Sequence, residues 1–185
     1  HCQCRRQRQM CIRDSLMALS NKVGKMVVTT GNKSEVSVGY STLYGDMNGG
    51  YNPIKDIYKT EVYELSKWRN SSKASNCLGP SGEVIPFSII EKEPTAELKE
   101  DQKDQDSLPP YDKLDDILES LIDYEMSISE IVKRGHDKSL VKKIENLLYI
   151  SEYKRRQSAP GVKVSQKNFG RDRRYPITNL FRDKN

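Results

Sequence analysis

The sequence is poor in the residues that bind structural metals, and it has no segment long enough to cross a membrane. It contains two histidines, and its four cysteines form no repeated C-x-x-C pair, so a structural zinc site is not expected. No apolar run approaches the roughly 18 residues that a membrane helix requires. The arginine-rich start lacks the apolar core of a secretion signal. These absences favour a cytoplasmic protein without disulfides or a membrane partner.

Apolar residues are also scarce. Hydrophobic residues make up 35% of the 185 positions and charged residues 31%, and the mean hydropathy is −0.77. Such a chain has room for one domain with a modest core, as expected of a fragment. The net charge of +5 is concentrated in clusters within residues 5–8, 154–156 and 171–174. Basic clusters of this kind suit phosphate groups.

Residues 1–15 differ in composition from the rest of the chain. They contain most of the cysteines together with several arginines, and they show no periodicity typical of a helix or a strand. We expect this segment to be an unmatched leader, either disordered or artefactual. The domain itself is then predicted to cover residues 16–185.

A strand, a turn and a helix are predicted in succession near the start of this domain. Met26 to Val28 is a short apolar run typical of a buried parallel strand, and a polar turn leads from it to a helix predicted over 34–43. Ligands of open α/β sheets bind where strands end in this way. The hydroxyl of Thr30 and the first turn of the helix, with Glu35, could therefore meet an anionic or polyhydroxyl ligand. On spacing alone, an ordinary connection fits the pattern equally well.

The remainder of the chain is predicted to be rich in helices. An amphipathic helix is expected over 59–72, a polar loop over about 91–108 and a basic, irregular tail over 158–185. Ser127 and Glu130 match a capping box. Strong apolar stripes run along the helices predicted over 111–124 and 139–155, and each stripe could face the core or a partner. The fold class is thus α/β, an incomplete parallel sheet with a helix-rich C-terminal portion.

Three sequence blocks carry a resemblance to a known family. The words LYGDM, DSLPPYD and GRDRRYPIT occur in this order, and together with their surroundings they resemble the C-terminal part of glutamine-dependent NAD synthetases over residues 16–181. The resemblance implies a Rossmann-like sheet of the ATP pyrophosphatase (adenine nucleotide alpha hydrolase) type. It also implies ligase activity, in which ATP converts deamido-NAD to an acyl-adenylate and ammonia then yields NAD, AMP and diphosphate.

The resemblance also implies ligands and partners. Thr30, Lys59 and Thr95 match ATP-contacting positions of the family, and Lys154 matches a position that binds deamido-NAD. Glu35 matches a glutamate that binds Mg²⁺ in the short forms and deamido-NAD in the long forms, and the choice stays open. Ammonia is expected from glutamine through an amidase domain, and the ligase domains are expected to form homo-oligomers.

Some family features have no counterpart in these 185 residues. The phosphate-binding Ser-Gly-Gly-x-Asp-Ser loop is not found in these residues, and neither is the amidase domain with its catalytic cysteine, glutamate and lysine. In the short forms of the family, a lysine and an aspartate of this region bind deamido-NAD. The matching positions here are Leu43 and Gly50, so these two contacts are not expected. We therefore expect that this polypeptide alone does not synthesise NAD.

Two functions other than that of an NAD synthetase are compatible with parts of the sequence. Another ligase of the ATP pyrophosphatase fold would share the turn at the strand end, but DSLPPYD resembles the synthetases specifically. A nucleic-acid-binding module could use the basic clusters, with Tyr153, Phe169 and Tyr175 stacking on bases. The 26 acidic residues spread through the chain argue against a continuous basic face, so no nucleic-acid partner is expected.

Overall fold

A computed structural model describes residues 2–72, 76, 78–92, 94 and 108–182. Within these residues, all regular secondary structure is helical. The helices in chain order are α1 (Cys2–Val23), α2 (Lys33–Val38), α3 (Lys59–Ser71), α4 (Phe87–Glu91), α5 (Tyr111–Ile122), α6 (Ile128–Lys133), α7 (Lys138–Ile150) and α8 (Glu152–Arg155). Most of the predicted polar loop, residues 95–107, lies outside the described part. No described helix is both long and apolar enough to cross a membrane.

The predicted parallel sheet is not confirmed in this part of the chain. The segment expected to be a buried strand makes one parallel bridge, between Val28 and Tyr51. Met26 is 67% exposed and Val28 52% exposed, so a buried strand is not confirmed in this part of the chain. A buried parallel strand needs neighbours on both edges and cover on both faces. Among the described residues, this segment pairs only with the chain around Tyr51, and its apolar side chains stay about half exposed or more.

Helix α1 occupies the segment that was expected to be a disordered leader. It begins at Cys2 and continues without a break to Val23, whereas the composition of residues 1–15 predicts no regular element. Its apolar residues Ile12, Leu16 and Leu19 are about half exposed. A helix without a buried apolar face shows little apolar periodicity in its sequence.

Two other predicted helices are interrupted by their local chemistry. The helix α2 ends at Val38, well before the predicted end at residue 43, because Gly39 has a positive φ of 68° and donates its backbone N–H to the carbonyl of Glu35. The helix predicted over 139–155 is divided into α7 and α8 at Ser151. The predicted capping box of Ser127 and Glu130 is confirmed at the start of α6.

The apolar core is formed mainly by α5, α6 and α7, with α2 packed against α5 and α7. The fully buried side chains include Leu114, Ile117, Leu118, Ile122, Ile131, Val141 and Ile144. The stripes that could have faced a partner therefore face the core of this chain. The predicted amphipathic helix α3 has no buried residue, and its Leu65 and Trp68 are 48% and 47% exposed.

A buried lysine at the start of α2 joins distant parts of the chain. Lys33 is fully buried, and its Nζ lies 3.1 Å from Asp123 Oδ2 and 3.5 Å from Asp56 Oδ1. The ammonium also donates to Ser165 Oγ at 2.7 Å and lies 4.6 Å from the ring centre of Tyr58. Lys33 thus fixes the start of α2 against the end of α5 and against the C-terminal segment.

Residues 158–182, within the predicted basic tail, form no helix, and part of this segment is packed against the core. Phe169 and Tyr175 are only 6% and 4% exposed. Both rings contact the guanidinium of Arg155, with centres 4.7 and 5.3 Å from its Cζ. These two rings are therefore not available to stack on bases, which removes the main support for the nucleic-acid-binding alternative.

Candidate binding cleft

A cleft of about 150 Å³ lies beside the first turn of α2. Its walls come from the extended turn before α2, from α2 itself, from the loop after it, and from α8 with the residues that follow. The lining residues include Thr29, Thr30, Gly31, Glu35, Tyr40, Ser41, Asp46, Asn52, Lys154, Arg155, Ser158 and Ala159. A concave site that combines polar and apolar walls is typical of small-molecule binding.

The start of α2 is fixed by a capping box. The side chain of Asn32 accepts a hydrogen bond from Glu35 N at 3.0 Å, and Glu35 Oε2 accepts one from Asn32 N at 3.3 Å. The other carboxylate oxygen, Oε1, lies 3.6 Å from the ammonium of Lys59. Both capping residues can be seen in the sequence, where the pattern predicts only the start of a helix.

A buried aspartate sets the distance between Glu35 and Lys59. Asp115 on α5 accepts hydrogen bonds from Ser34 Oγ at 2.5 Å and from Thr60 N at 2.9 Å. Ser34 Oγ in turn accepts the backbone N–H of Lys59 at 2.9 Å. Burial raises the pKa of Asp115. The starts of α2 and α3 are therefore held together, which brings Lys59 close to Glu35.

The structure brings together most of the site residues that were predicted. Thr30, Glu35 and Lys154 line the same cleft, although residue 154 lies far along the chain from the other two. Lys59 does not line the cleft, but it pairs with Glu35 at its edge. Thr95 lies outside the described residues.

The ammonium of Lys154 is engaged with the backbone. Its Nζ donates to Gly39 O at 2.7 Å and to Ser41 O at 2.8 Å. Lys154 thus holds the turn that follows α2. An anionic ligand would share the positive charge of Lys154 with these two carbonyl groups. A β-carbon at Gly39 would clash with Ser151, so the close contact of this turn with α8 requires glycine.

Arg155, which was not predicted as a site residue, holds the other end of α2. Its guanidinium donates to Ser37 O at 2.7 Å and to Glu152 Oε2 at 3.0 Å. The group thus satisfies a carbonyl at the C-terminal end of α2, where a positive charge is favourable. Desolvation lowers the pKa of Arg155, and Glu152 opposes this effect.

Buried Lys55 fixes the segment that follows α8. Its Nζ donates to Ala159 O at 2.8 Å, and the backbone N–H of Asn52 donates to Pro160 O at 2.8 Å. Desolvation lowers the pKa of Lys55. Lys55 therefore carries its charge at a cost to the folded state at neutral pH.

We expect this cost to appear in the pH dependence of stability. The folded-state pKa of Lys55 lies below its ordinary value of 10.5, so the penalty is full below the folded pKa and disappears as the pH rises to that ordinary value. The melting temperature of the wild type should therefore rise relative to that of Lys55→Met between about pH 7 and pH 10. Thermal melts that show a constant or decreasing difference would contradict the prediction, and the exposed Lys163→Met is the control.

The described residues do not form a magnesium site by themselves. They contain no group of three or more histidine, cysteine, aspartate or glutamate side chains that could hold a metal ion. Glu35 offers one carboxylate, and this carboxylate is paired with Lys59. Any Mg²⁺ at Glu35 would take its other ligands from substrate phosphates, water or other groups.

Solved structures define the class of fold. A glutamine-dependent NAD(+) synthetase from Cytophaga hutchinsonii matches with a TM-score of 0.71 and 23% identity, over 95% of this chain and 28% of that chain. An NMN synthetase from Francisella tularensis matches with a TM-score of 0.61 and 23% identity, over 81% of this chain and 52% of that chain. The helical arrangement around the cleft is thus a fold that these synthetases share.

Sequence comparison identifies the family. Residues 3–158 match the family profile described as NAD synthase. A glutamine-dependent NAD(+) synthetase from Rhodobacter capsulatus is 58% identical over 169 residues, which cover 91% of this chain. The chain therefore belongs to the NAD synthase family. It spans 31% of the length of that relative.

Proposed function

We propose that this chain forms the C-terminal part of the nucleotide site of a glutamine-dependent NAD synthetase. In the proposed reaction, ATP activates the carboxylate of deamido-NAD as an acyl-adenylate with release of diphosphate, and ammonia displaces AMP to give NAD. The observation that carries the proposal is the convergence of Thr30, Glu35 and Lys154 on one cleft. The Rossmann-like parallel sheet of the ATP pyrophosphatase type remains part of the proposal.

Each predicted site residue is assigned a role suited to its position. The hydroxyl of Thr30 binds ATP, and Lys59 offers a positive charge to a phosphate at the edge of the cleft. Glu35 accepts hydrogen bonds from deamido-NAD. Lys154 holds the turn after α2 and directs its charge toward the same substrate. Thr95, outside the described residues, is retained as an ATP contact.

Other proposals follow from the family. Ammonia comes from glutamine through an amidase domain, and the reaction takes place in the cytoplasm. Mg²⁺ would offset phosphate charge when bound, with Glu35 as its proposed protein ligand. Homo-oligomers are proposed as well, formed through surfaces other than the buried stripes of α5 and α7.

A chimera tests the proposed function. This chain replaces the matching 169 residues of the Rhodobacter capsulatus synthetase, and NAD formation is measured with ATP, deamido-NAD and ammonia. We expect the chimera to be active and the isolated 185-residue chain to be inactive. If circular dichroism shows that the chimera is folded but the chimera is inactive, the proposal is contradicted. Turnover by the isolated chain would contradict the expectation that the Ser-Gly-Gly-x-Asp-Ser loop is required.

Substitutions in the chimera test the cleft. We expect Glu35→Gln to lower kcat/KM for deamido-NAD by about tenfold or more, because a neutral amide oxygen accepts a hydrogen bond more weakly than a carboxylate does. Thr30→Ala should raise KM for ATP. The exposed Glu64→Gln on α3 is the matched control and should leave both constants unchanged. If Glu35→Gln behaves like Glu64→Gln, the assignment of Glu35 is wrong.

A further inference from the structure

One buried carboxylate divides its two oxygens between the starts of two helices. Asp115 on α5 is 5% exposed. Its Oδ1 accepts the hydroxyl of Ser34, in the first turn of α2, at 2.5 Å. Its Oδ2 accepts both the backbone N–H and the hydroxyl of Thr60, in the first turn of α3, each at 2.9 Å. Loss of either oxygen would therefore release one of the two helices.

The burial of Asp115 has an energetic cost. Its three donors are neutral groups, two hydroxyls and one backbone N–H. Desolvation raises the pKa of Asp115, and the nearby carboxylate of Glu61 acts in the same direction. An apolar side chain of similar size would avoid this cost, but it could not accept hydrogen bonds from two helix starts. What Asp115 contributes is thus the fixed relative position of α2 and α3.

The residues that Asp115 holds lie next to Glu35 and Lys59. Ser34 directly precedes Glu35, and Thr60 directly follows Lys59. Ser34 Oγ also accepts the backbone N–H of Lys59 at 2.9 Å. The side chains of Glu35 and Lys59 are 22% and 19% exposed, with Oε1 and Nζ 3.6 Å apart. The main chain at both residues is therefore fixed from the buried side, while their charged groups stay accessible.

We propose that Asp115 is a positioning residue, which acts through Ser34 and Thr60 to hold Glu35 and Lys59 in the geometry that binds the substrates. The inference rests on the proposed function for the substrate contacts of Glu35 and Lys59. Asp115 itself touches no substrate in this proposal. Its effect on activity passes through the two first-turn side chains.

Kinetics of the chimera, measured at saturating ATP, test the inference. Asp115→Asn keeps the size of the side chain but offers an acceptor oxygen to only one helix. We expect it to lower kcat/KM for deamido-NAD by about tenfold or more, because a small displacement of positioned groups slows catalysis strongly. Ser34→Ala removes the donor to Asp115 and the acceptor for Lys59 N–H, and it should lower kcat/KM by about fivefold or more.

A second serine of α2 provides the matched control. Ser37 is as fully buried as Ser34, but its hydroxyl donates to Lys33 O within the same helix at 2.6 Å. Ser37→Ala should therefore leave kcat/KM within about twofold of the wild-type value. Circular dichroism establishes that each variant is folded. If Asp115→Asn does not fold, the comparison of Ser34→Ala with Ser37→Ala decides the question.

Combination with Glu35→Gln separates positioning from general support of the fold. Two residues that act through one group give non-additive losses, whereas independent effects multiply. In a chimera that already carries Glu35→Gln, adding Asp115→Asn or Ser34→Ala should lower kcat/KM for deamido-NAD by no more than about twofold further. A purely structural role of Asp115 would not produce this pattern.

Three results would overturn the inference while the wild-type chimera is active. These are unchanged kcat/KM in the folded variants of Asp115 and Ser34, a loss in Ser37→Ala as large as in Ser34→Ala, and losses that multiply in full with that of Glu35→Gln. Each of them leaves the proposed function standing. An inactive wild-type chimera that is folded would instead contradict the proposed function, and the inference with it, so the two failures are distinguishable.

Discussion

Lys33→Met is expected to destabilise the folded chain by about 3–5 kcal/mol, since it removes one member of a buried ionic network. The methionine fills a similar volume, but it leaves the carboxylates of Asp56 and Asp123 without their shared cation. The side chains of Lys33 and Asp56 are almost fully buried, so water cannot replace the lost interaction. Urea unfolding followed by circular dichroism measures the effect.

An exposed lysine provides the control for this variant. Lys163 pairs with Asp172 at 2.7 Å, and its side chain is 44% exposed. Lys163→Met should therefore cost no more than about 1 kcal/mol. A loss of similar size in both variants would show that the burial of Lys33 does not determine its contribution.

Arg155→Leu is expected to cost about 3–5 kcal/mol as well, and also to disturb the cleft. The substitution leaves Glu152, which is 2% exposed, without its buried partner, and it removes the donor to the carbonyl of Ser37. The guanidinium contacts with Phe169 and Tyr175 are lost at the same time. Urea unfolding measures the stability, and adenosine titration reports on the cleft.

Arg156, the next residue in the chain, shows whether the cost of Arg155→Leu comes from the lost charge or from the burial of the guanidinium. Arg156 contacts the same carboxylate at 2.7 Å, but its side chain is 47% exposed. Arg156→Leu should cost about 1 kcal/mol or less, and adenosine binding should be unchanged. Arg155→Lys keeps the positive charge but loses the planar guanidinium, so its loss of stability should lie between those of Arg156→Leu and Arg155→Leu. If Arg156→Leu is as damaging as Arg155→Leu, the assigned role of the buried guanidinium is wrong.

The helices of the core could be predicted because their signals are local. An apolar stripe at helical spacing identified α5 and α7, and the capping box at Ser127 identified the start of α6. The strand predicted over 26–28 could not be judged in the same way. An apolar run predicts burial only if partners exist, and this segment is largely uncovered.

The candidate site was predictable in part. Thr30, Glu35 and Lys154 were selected by family resemblance, and the structure brings them to one cleft. Arg155 is visible in the sequence only as part of a basic cluster. Its importance comes from burial and from backbone groups elsewhere in the chain, such as the link from Arg155 to Ser37 across 118 positions.

The sequence by itself determined the family, the helical periodicity and the caps, because these depend on residue types within a few positions of one another. Only the tertiary structure decided which charges are buried and which apolar faces are covered. Lys33 shows the physical reason. A lysine between a capping asparagine and a serine looks solvated in sequence, yet contacts with Asp123 and Ser165, 90 and 132 positions away, remove it from water.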